Sequence, residues 1–99
     1  RLIFSDDHLQ IDLEQAVVTV DGQECSVTPT ESRMLRQFLI NRGQLLTYDV
    51  LLDRLWDSGG QFVDKHALAV NVNRLRAKLE DEQHRYISNV YGVGYQWIG

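Results

Sequence analysis

The sequence predicts an α+β fold, a winged helix-turn-helix preceded by a small antiparallel sheet. Three observations predict it. Apolar residues alternate with period two through the first 27 residues. They then recur at helical spacing between residues 28 and 81, and return to alternation around two glycines near the end. A helix pair, a longer helix and a hairpin in that order make a helix-turn-helix with a β wing. Ninety-nine residues suffice for one domain with one core and no covalent staples.

The elements follow in chain order. Leu9, Ile11 and Leu13 point one way from a first strand, and Ala16, Val18 and Val20 from a second. Glu14-Gln15 between them is a gap of hairpin length. Asp21-Gly22 is a stronger hairpin signal, since glycine accepts the positive φ that such turns require. A short strand over residues 24–27 follows, and residues 2–4 add an edge strand. Residues 1–27 therefore read as a sheet of three or four strands. Asp6-Asp7 falls in a turn and reads as solvated charge.

Thr28-Pro29-Thr30-Glu31 is a helix start. Thr28 caps, Pro29 sits where no amide donor is missed, and Glu31 completes a capping box. Met34, Leu35, Phe38 and Leu39 form the buried face, and Asn41-Arg42-Gly43 ends the helix. A second helix starts near Thr47, with Asp49 favouring its dipole. Val50, Leu51, Leu52, Leu55 and Trp56 supply its apolar side. Residues 57–61 are a connector. Asp64 caps a third helix over about residues 64–80, which completes a three-helix core within residues 28–81. Residues 85–99 form the wing: strands at 86–90 and 95–98 flank Tyr91-Gly92-Val93-Gly94.

The third helix has two faces of different purpose. Leu68, Val72, Leu75 and Leu79 form one apolar stripe. The opposite surface carries His66, Val70, Asn73, Arg74 and Ala77, with Asn71 and Lys78 beside it. A helix that enters a DNA major groove needs this mixture: arginine and amides for base edges and phosphates, small apolar groups for thymine methyls.

The net charge of −4 argues against a nucleic-acid partner at first sight, but it is unevenly spread. Residues 1–61 hold five Lys/Arg against ten Asp/Glu; residues 62–99 hold five against four, three of those acids clustering at 80–82. The local field matters more than the total for a docking surface. Cys25 is the only cysteine, so no internal disulfide and no thiolate zinc cluster can form, which suits a reducing cytoplasm. His8, His66 and His84 have no metal-ligand spacing, so neither metal nor cofactor is expected. No apolar run reaches membrane-spanning length and no signal peptide is visible. No phosphate loop, nucleophile elbow or paired-carboxylate motif points to an enzyme. The chain opens on Arg1 without a methionine, as expected of a piece cut from a longer protein.

Four segments in order carry a resemblance to a known family: Thr28-Pro29-Thr30-Glu31; Leu51-Leu52-Asp53-Arg54-Leu55-Trp56; Val63-Asp64 with Val70 and Arg74-Leu75-Arg76-Ala77-Lys78-Leu79; and Gly92-Val93-Gly94-Tyr95. Together they resemble the OmpR/PhoB-type winged-helix DNA-binding domain, the C-terminal output half of bacterial two-component response regulators. The resemblance implies sequence-specific binding to double-stranded promoter DNA, with the third helix in the major groove and the wing at the neighbouring minor groove. It implies a receiver domain, absent from this chain, through which phosphorylated copies form a homodimer. It also implies that the loop of Asp57, Ser58, Gly59, Gly60, Gln61 and Phe62 touches RNA polymerase.

Site residues carry over position by position. Arg74 matches the family's principal arginine, and Val70 a position that meets thymine methyls. Asn71, Arg76 and Lys78 match positions near the DNA backbone, and Trp56 a tryptophan near phosphate. His66 stands where an arginine is usual and Ala67 where a threonine is usual. Asn89 replaces a frequent threonine, and Tyr91 holds a wing position often given to a minor-groove arginine. Other readings stand beside these. Arg76 could be a structural salt bridge to the N-terminal acids, Lys78 a solvated charge, Val70 a second-layer packing residue, Tyr91 a brace for the hairpin. Trp56 reads more readily as core than as contact, while Tyr95 and Trp97 pack the wing onto the domain. The competing function is a winged-helix protein-interaction module in which these substitutions mark weakened or lost DNA binding.

Overall fold

A computed structural model describes residues 2–56 and 64–99. Four strands open the chain: β1 (Ile3–Ser5), β2 (Leu9–Asp12), β3 (Val17–Val20) and β4 (Gln23–Glu24). They pair antiparallel in sequence order. Phe4, Leu9, Ile11 and Val18 face the core, as the alternation requires. Asp21 and Gly22 both take positive φ, 52° and 79°, the backbone of a type I′ turn whose twist matches its strands.

Two strand boundaries differ from the sequence reading. The β2–β3 turn spans residues 13–16 rather than two residues, and Ala16 takes φ 56°. Asp12 causes this: its Oδ1 accepts from the Glu14 and Gln15 amides at 3.0 and 3.1 Å, closing a side-chain turn that hydrophobic spacing does not reveal. β4 is two residues long and does not reach Val27, because the chain turns there toward Thr28 and the first helix. Asp6 is not a solvated charge. Its Oδ1 accepts from the Leu9 and His8 amides, and its Oδ2 from the Tyr86 hydroxyl at 2.8 Å.

Helix α1 (Pro29–Ile40) begins with the capping box expected from its sequence. The Glu31 amide donates to Thr28 Oγ1 at 3.1 Å, and the Thr28 amide to Glu31 Oε1 at 2.9 Å. Glu31 is buried and also accepts from Lys78 Nζ at 2.5 Å. Burial alone raises the Glu31 carboxyl, but the hydrogen bonds from Lys78 and from the Thr28 amide outweigh it and hold the group below its ordinary value near 4.5. The folded state thus binds the proton more weakly than the unfolded chain. The stabilisation is complete above pH 4.5 and is lost as pH falls through the lower folded value. Glu31→Gln accordingly costs about 1–2 kcal/mol at pH 7, and the difference from the native chain closes as the melting temperature is followed into acid. A constant difference down to pH 2 would contradict this role.

After α1, β5 (Leu45–Thr47) leads directly into α2 (Tyr48–Leu55), which Thr47 caps. β5 is absent from the sequence reading. It is three residues long, too short to show a period, and its pairing partner lies about fifty residues away in β7 (Gly94–Trp97). The wing is therefore a three-stranded sheet ordered β5-β7-β6, with β6 (Ile87–Val90), rather than a lone hairpin. α3 (Lys65–Leu79) starts on Asp64, whose Oδ1 accepts from the Ala67 amide at 2.9 Å.

One core joins both sheets and all three helices. Met34, Leu35 and Phe38 of α1 meet Leu51 and Leu55 of α2 and Leu68, Val72, Leu75 and Leu79 of α3. Trp97 and Tyr95 of β7 are buried, as expected of residues that seat the wing. Trp97 stacks on Tyr86 and meets Phe4 edge-on, with centroids 5.5 and 5.3 Å apart. No helix among the described residues is long and apolar enough to cross a membrane.

Candidate nucleic-acid interface

The four leucine and valine side chains of the α3 stripe are fully buried, so the helix is anchored along one side and its other side faces outward. Arg74 is exposed there and makes no hydrogen bond or ion pair among the described residues. Val70 beside it is half-buried, neither sunk in the core nor fully proud. His66, Asn73 and Ala77 are exposed, and Ala67 and Asn71 half-buried. Asn71 Nδ2 donates to the Ala67 carbonyl at 2.9 Å, which uses one of its two amide hydrogens and leaves its oxygen as an acceptor.

Arg76 is committed elsewhere. Its Nε donates to the Ile87 carbonyl at 3.1 Å, Nη1 to Asn73 Oδ1 at 3.3 Å and Nη2 to Asn89 Oδ1 at 2.8 Å. Its guanidinium also lies 5.6 Å from the centre of the Tyr95 ring. Arg76 is thus a structural group, but its partners are in the wing and on α3, not among the N-terminal acids. Asn89 becomes its acceptor, and Asn73, an outward residue without an assigned role in the sequence, helps to orient it. Three contacts from one planar fork, to Ile87, Asn89 and Tyr95, fix the wing against α3.

Lys78 is likewise no solvated charge. Besides Glu31, its ammonium donates to the Ser26 carbonyl at 3.0 Å, tying α3 to the start of α1. Trp56 corrects the sequence reading in the other direction. It is 66% exposed at the C-cap of α2, with φ −54° and ψ 135°, so the chain has left the helix and the ring has left its apolar face. Tyr91 stands at the wing tip and is 96% exposed beside Gly92, whose φ is +74°. It braces nothing. Residues 57–62, the expected polymerase-contact loop, lie outside the described residues.

Two of the acids at 80–82 are oriented by the backbone that follows α3. Glu80 Oε2 accepts from the Tyr86 and Ile87 amides at 2.7 and 2.8 Å, and Asp81 accepts from the Gln83 amide. Lys65 lies over the Tyr48 ring, 5.1 Å from its centre, near the start of α3. Among the described residues, α3 therefore presents one unpaired arginine, small apolar groups and amides, and α2 and the wing each add an exposed aromatic ring.

Residues 22–97 match the family model described as transcriptional regulatory protein, C terminal. The chain belongs to that family. Within it, the chain is 40% identical over 88 residues to the transcriptional regulatory protein CseB of Streptomyces avermitilis, a match covering 89% of this chain and 36% of that regulator. The chain thus spans about a third of the length of that curated relative. The response regulator DrrB of Thermotoga maritima, an OmpR/PhoB homologue, superposes with a TM-score of 0.86 at 26% identity, covering 100% of this chain and 45% of DrrB. The RstA DNA-binding domain of Klebsiella pneumoniae, solved in complex with the RstA box, superposes with a TM-score of 0.77 at 25% identity, covering 97% of this chain and 96% of that one. The winged-helix fold of the transcriptional regulatory C-terminal family is therefore the fold of this chain, N-terminal sheet included.

Proposed function

We propose that the 99 residues form a sequence-specific DNA-binding output domain of a two-component response regulator. The observation that carries this reading is Arg74: exposed, free of partners among the described residues, and held on a helix whose opposite face is wholly buried. α3 enters the major groove. Arg74 reads a guanine or grips a phosphate, Val70 and Ala67 meet thymine methyls, and Asn71, Asn73 and His66 supply polar contacts at the margin. Tyr91 enters the neighbouring minor groove and packs against sugar, and Trp56 lies against the backbone. Arg76 and Asn89 act as positioning residues that set the angle between wing and helix. Lys78 is spent on α1 and is left out of the interface.

Affinity per domain is modest, because few free cations face the DNA and each phosphate neutralised adds to the salt dependence. Two domains on adjacent direct repeats supply the rest, brought together by phosphorylated receiver domains outside this chain. The loop at residues 57–62 is the proposed contact to RNA polymerase. The complex with the RstA box supports DNA as the partner of a domain of this shape.

The test is Arg74→Ala, titrated onto a duplex selected from a random pool by the native protein. Affinity falls by about 1–3 kcal/mol, roughly 5- to 150-fold, and discrimination relaxes at one base pair. Thermal unfolding stays unchanged, since the side chain is exposed and makes no hydrogen bond or ion pair among the described residues. An unaltered binding curve for a folded Arg74→Ala protein overturns the assignment.

A further inference from the structure

At the C-terminal end of α3, away from Arg74, two histidines far apart in sequence stack face to face. The His8 and His84 ring centres are 4.2 Å apart and the planes 8° from parallel. His8 is buried, and its Nε2 lies 2.8 Å from the Leu79 carbonyl. A carbonyl only accepts, so Nε2 carries the hydrogen. In the neutral ring Nδ1 then keeps a lone pair. Nδ1 nevertheless lies 2.7 Å from Asp21 Oδ1, a hydrogen-bond distance that takes a second proton on the ring, with Asp81 Oδ2 at 3.7 Å. His84 faces carboxylates on both sides, and its neutral ring serves Asp81 through an Nδ1–H. Its Nε2 faces Asp7 Oδ1 at 3.4 Å, and its Nδ1 lies 2.9 Å from Asp81 Oδ1.

The two short imidazole–carboxylate contacts, 2.7 and 2.9 Å, each hold a proton in the metal-free chain, and a metal ion binding there takes the place of those protons. Protonating both rings would place two like charges face to face, 4.2 Å apart. One divalent ion serves both nitrogens at once. The donor atoms of His8, Asp81 and His84 all lie within 4.8 Å of one another. The outer partner of His8 also matches a metal site: a ligating histidine donates its other N–H to a backbone carbonyl, here that of Leu79.

We propose that His8 Nδ1, His84 Nδ1 and the carboxylates of Asp81 and Asp21 form a binding site for a divalent transition metal of the zinc class. His8, Asp81 and His84 supply three donors, and the exposed Asp21 carboxylate beside His8 swings in as the fourth; two imidazoles with two carboxylates suit tetrahedral zinc, whereas calcium and magnesium take oxygen alone. Adjacent ligands of tetrahedral zinc sit about 3.4 Å apart, so the hydrogen-bonded pairs at 2.7 and 2.9 Å open, the wider pairs close, and the rings tilt out of their stack. The exposed side chains of Asp21 and Asp81 and the half-buried His84 can make that movement. The ion would tie together the entry to β2, the β3–β4 turn and the segment after α3. It would thereby fix the N-terminal sheet to the end of the outward-facing helix, whether or not that helix binds DNA.

The untagged chain, freed of metal with chelator and held at pH 7.5, is titrated with zinc chloride by calorimetry and by thermal unfolding. One equivalent binds with a Kd below about 10 µM, and zinc at a hundredfold excess over Kd raises the melting temperature by roughly 10 °C. His84→Ala and Asp81→Asn, both at the surface side of the site, each weaken binding at least about tenfold while keeping the native far-ultraviolet spectrum. Cys25→Ser leaves binding unchanged. Zinc binding weaker than about 1 mM overturns the proposal and assigns the cluster to protons alone. Binding that survives both site variants, or that vanishes in Cys25→Ser, overturns it by placing the ion elsewhere.

Discussion

Gly94→Ala destabilises the domain by more than about 4 kcal/mol, a large share of the roughly 5–15 kcal/mol that holds a domain of this size together. Gly94 opens β7, the central strand of the wing sheet, and is paired to Thr47 on one side and Val90 on the other. A Cβ added there would lie 2.0 Å from the Leu46 carbonyl oxygen and 2.8 Å from both Leu46 C and Thr47 Cα. All three atoms are backbone, so no side chain can swing aside. β5 must separate from β7, and β5 leads straight into the cap of α2. The same change at Gly92 isolates a different effect. Nothing lies within 4 Å of its Cβ position, and only the positive φ of 74° opposes a side chain, a penalty of about 1–2 kcal/mol. Urea unfolding of the two variants separates them. Equal midpoints would remove the close strand approach as the reason for glycine at position 94.

What could be read from the chain divides by distance along it. The α1 start was readable because every participant, Thr28, Pro29 and Glu31, lies within one turn. Asp64 and the α3 stripe were readable for the same reason, and the Asp21-Gly22 turn because both residues tolerate positive φ. β5 was not, since three residues carry no period and the hydrogen bonds come from a strand at the other end of the chain. Within the interface, Arg74 could be placed because helical geometry alone turns it about 100° from Leu75 and about 120° from Leu68, away from the buried stripe. The fates of Arg76 and Lys78 could not, because they depend on Asn89, on Ile87 and on a Glu31 that the local sequence assigns to capping. His8 and His84 show the limit most plainly. Metal-ligand spacing is a pattern in sequence, and these two rings meet only after β2 has been laid against the end of α3.

Leu75→Ala is the counterpart to Arg74→Ala, one residue along the same helix and opposite in effect. Leu75 has no exposed surface and sits in the core shared by all three helices. Shortening it removes buried apolar atoms and leaves a void, which costs about 2–5 kcal/mol and lowers the urea midpoint with an unchanged slope. The surviving folded molecules keep Arg74, Val70 and Tyr91 outward, so their affinity for a selected duplex, measured well below the melting temperature, stays close to native. Arg74→Ala does the reverse, leaving stability within about 0.5 kcal/mol, as surface changes do, while binding falls. Helical geometry turns successive side chains by about 100°, so adjacent positions can belong wholly to the core or wholly to the DNA surface. Were Leu75→Ala to weaken binding as much as stability, the outward face would owe its affinity to a tightly held backbone rather than to Arg74, and the arginine-centred interface would have to be abandoned.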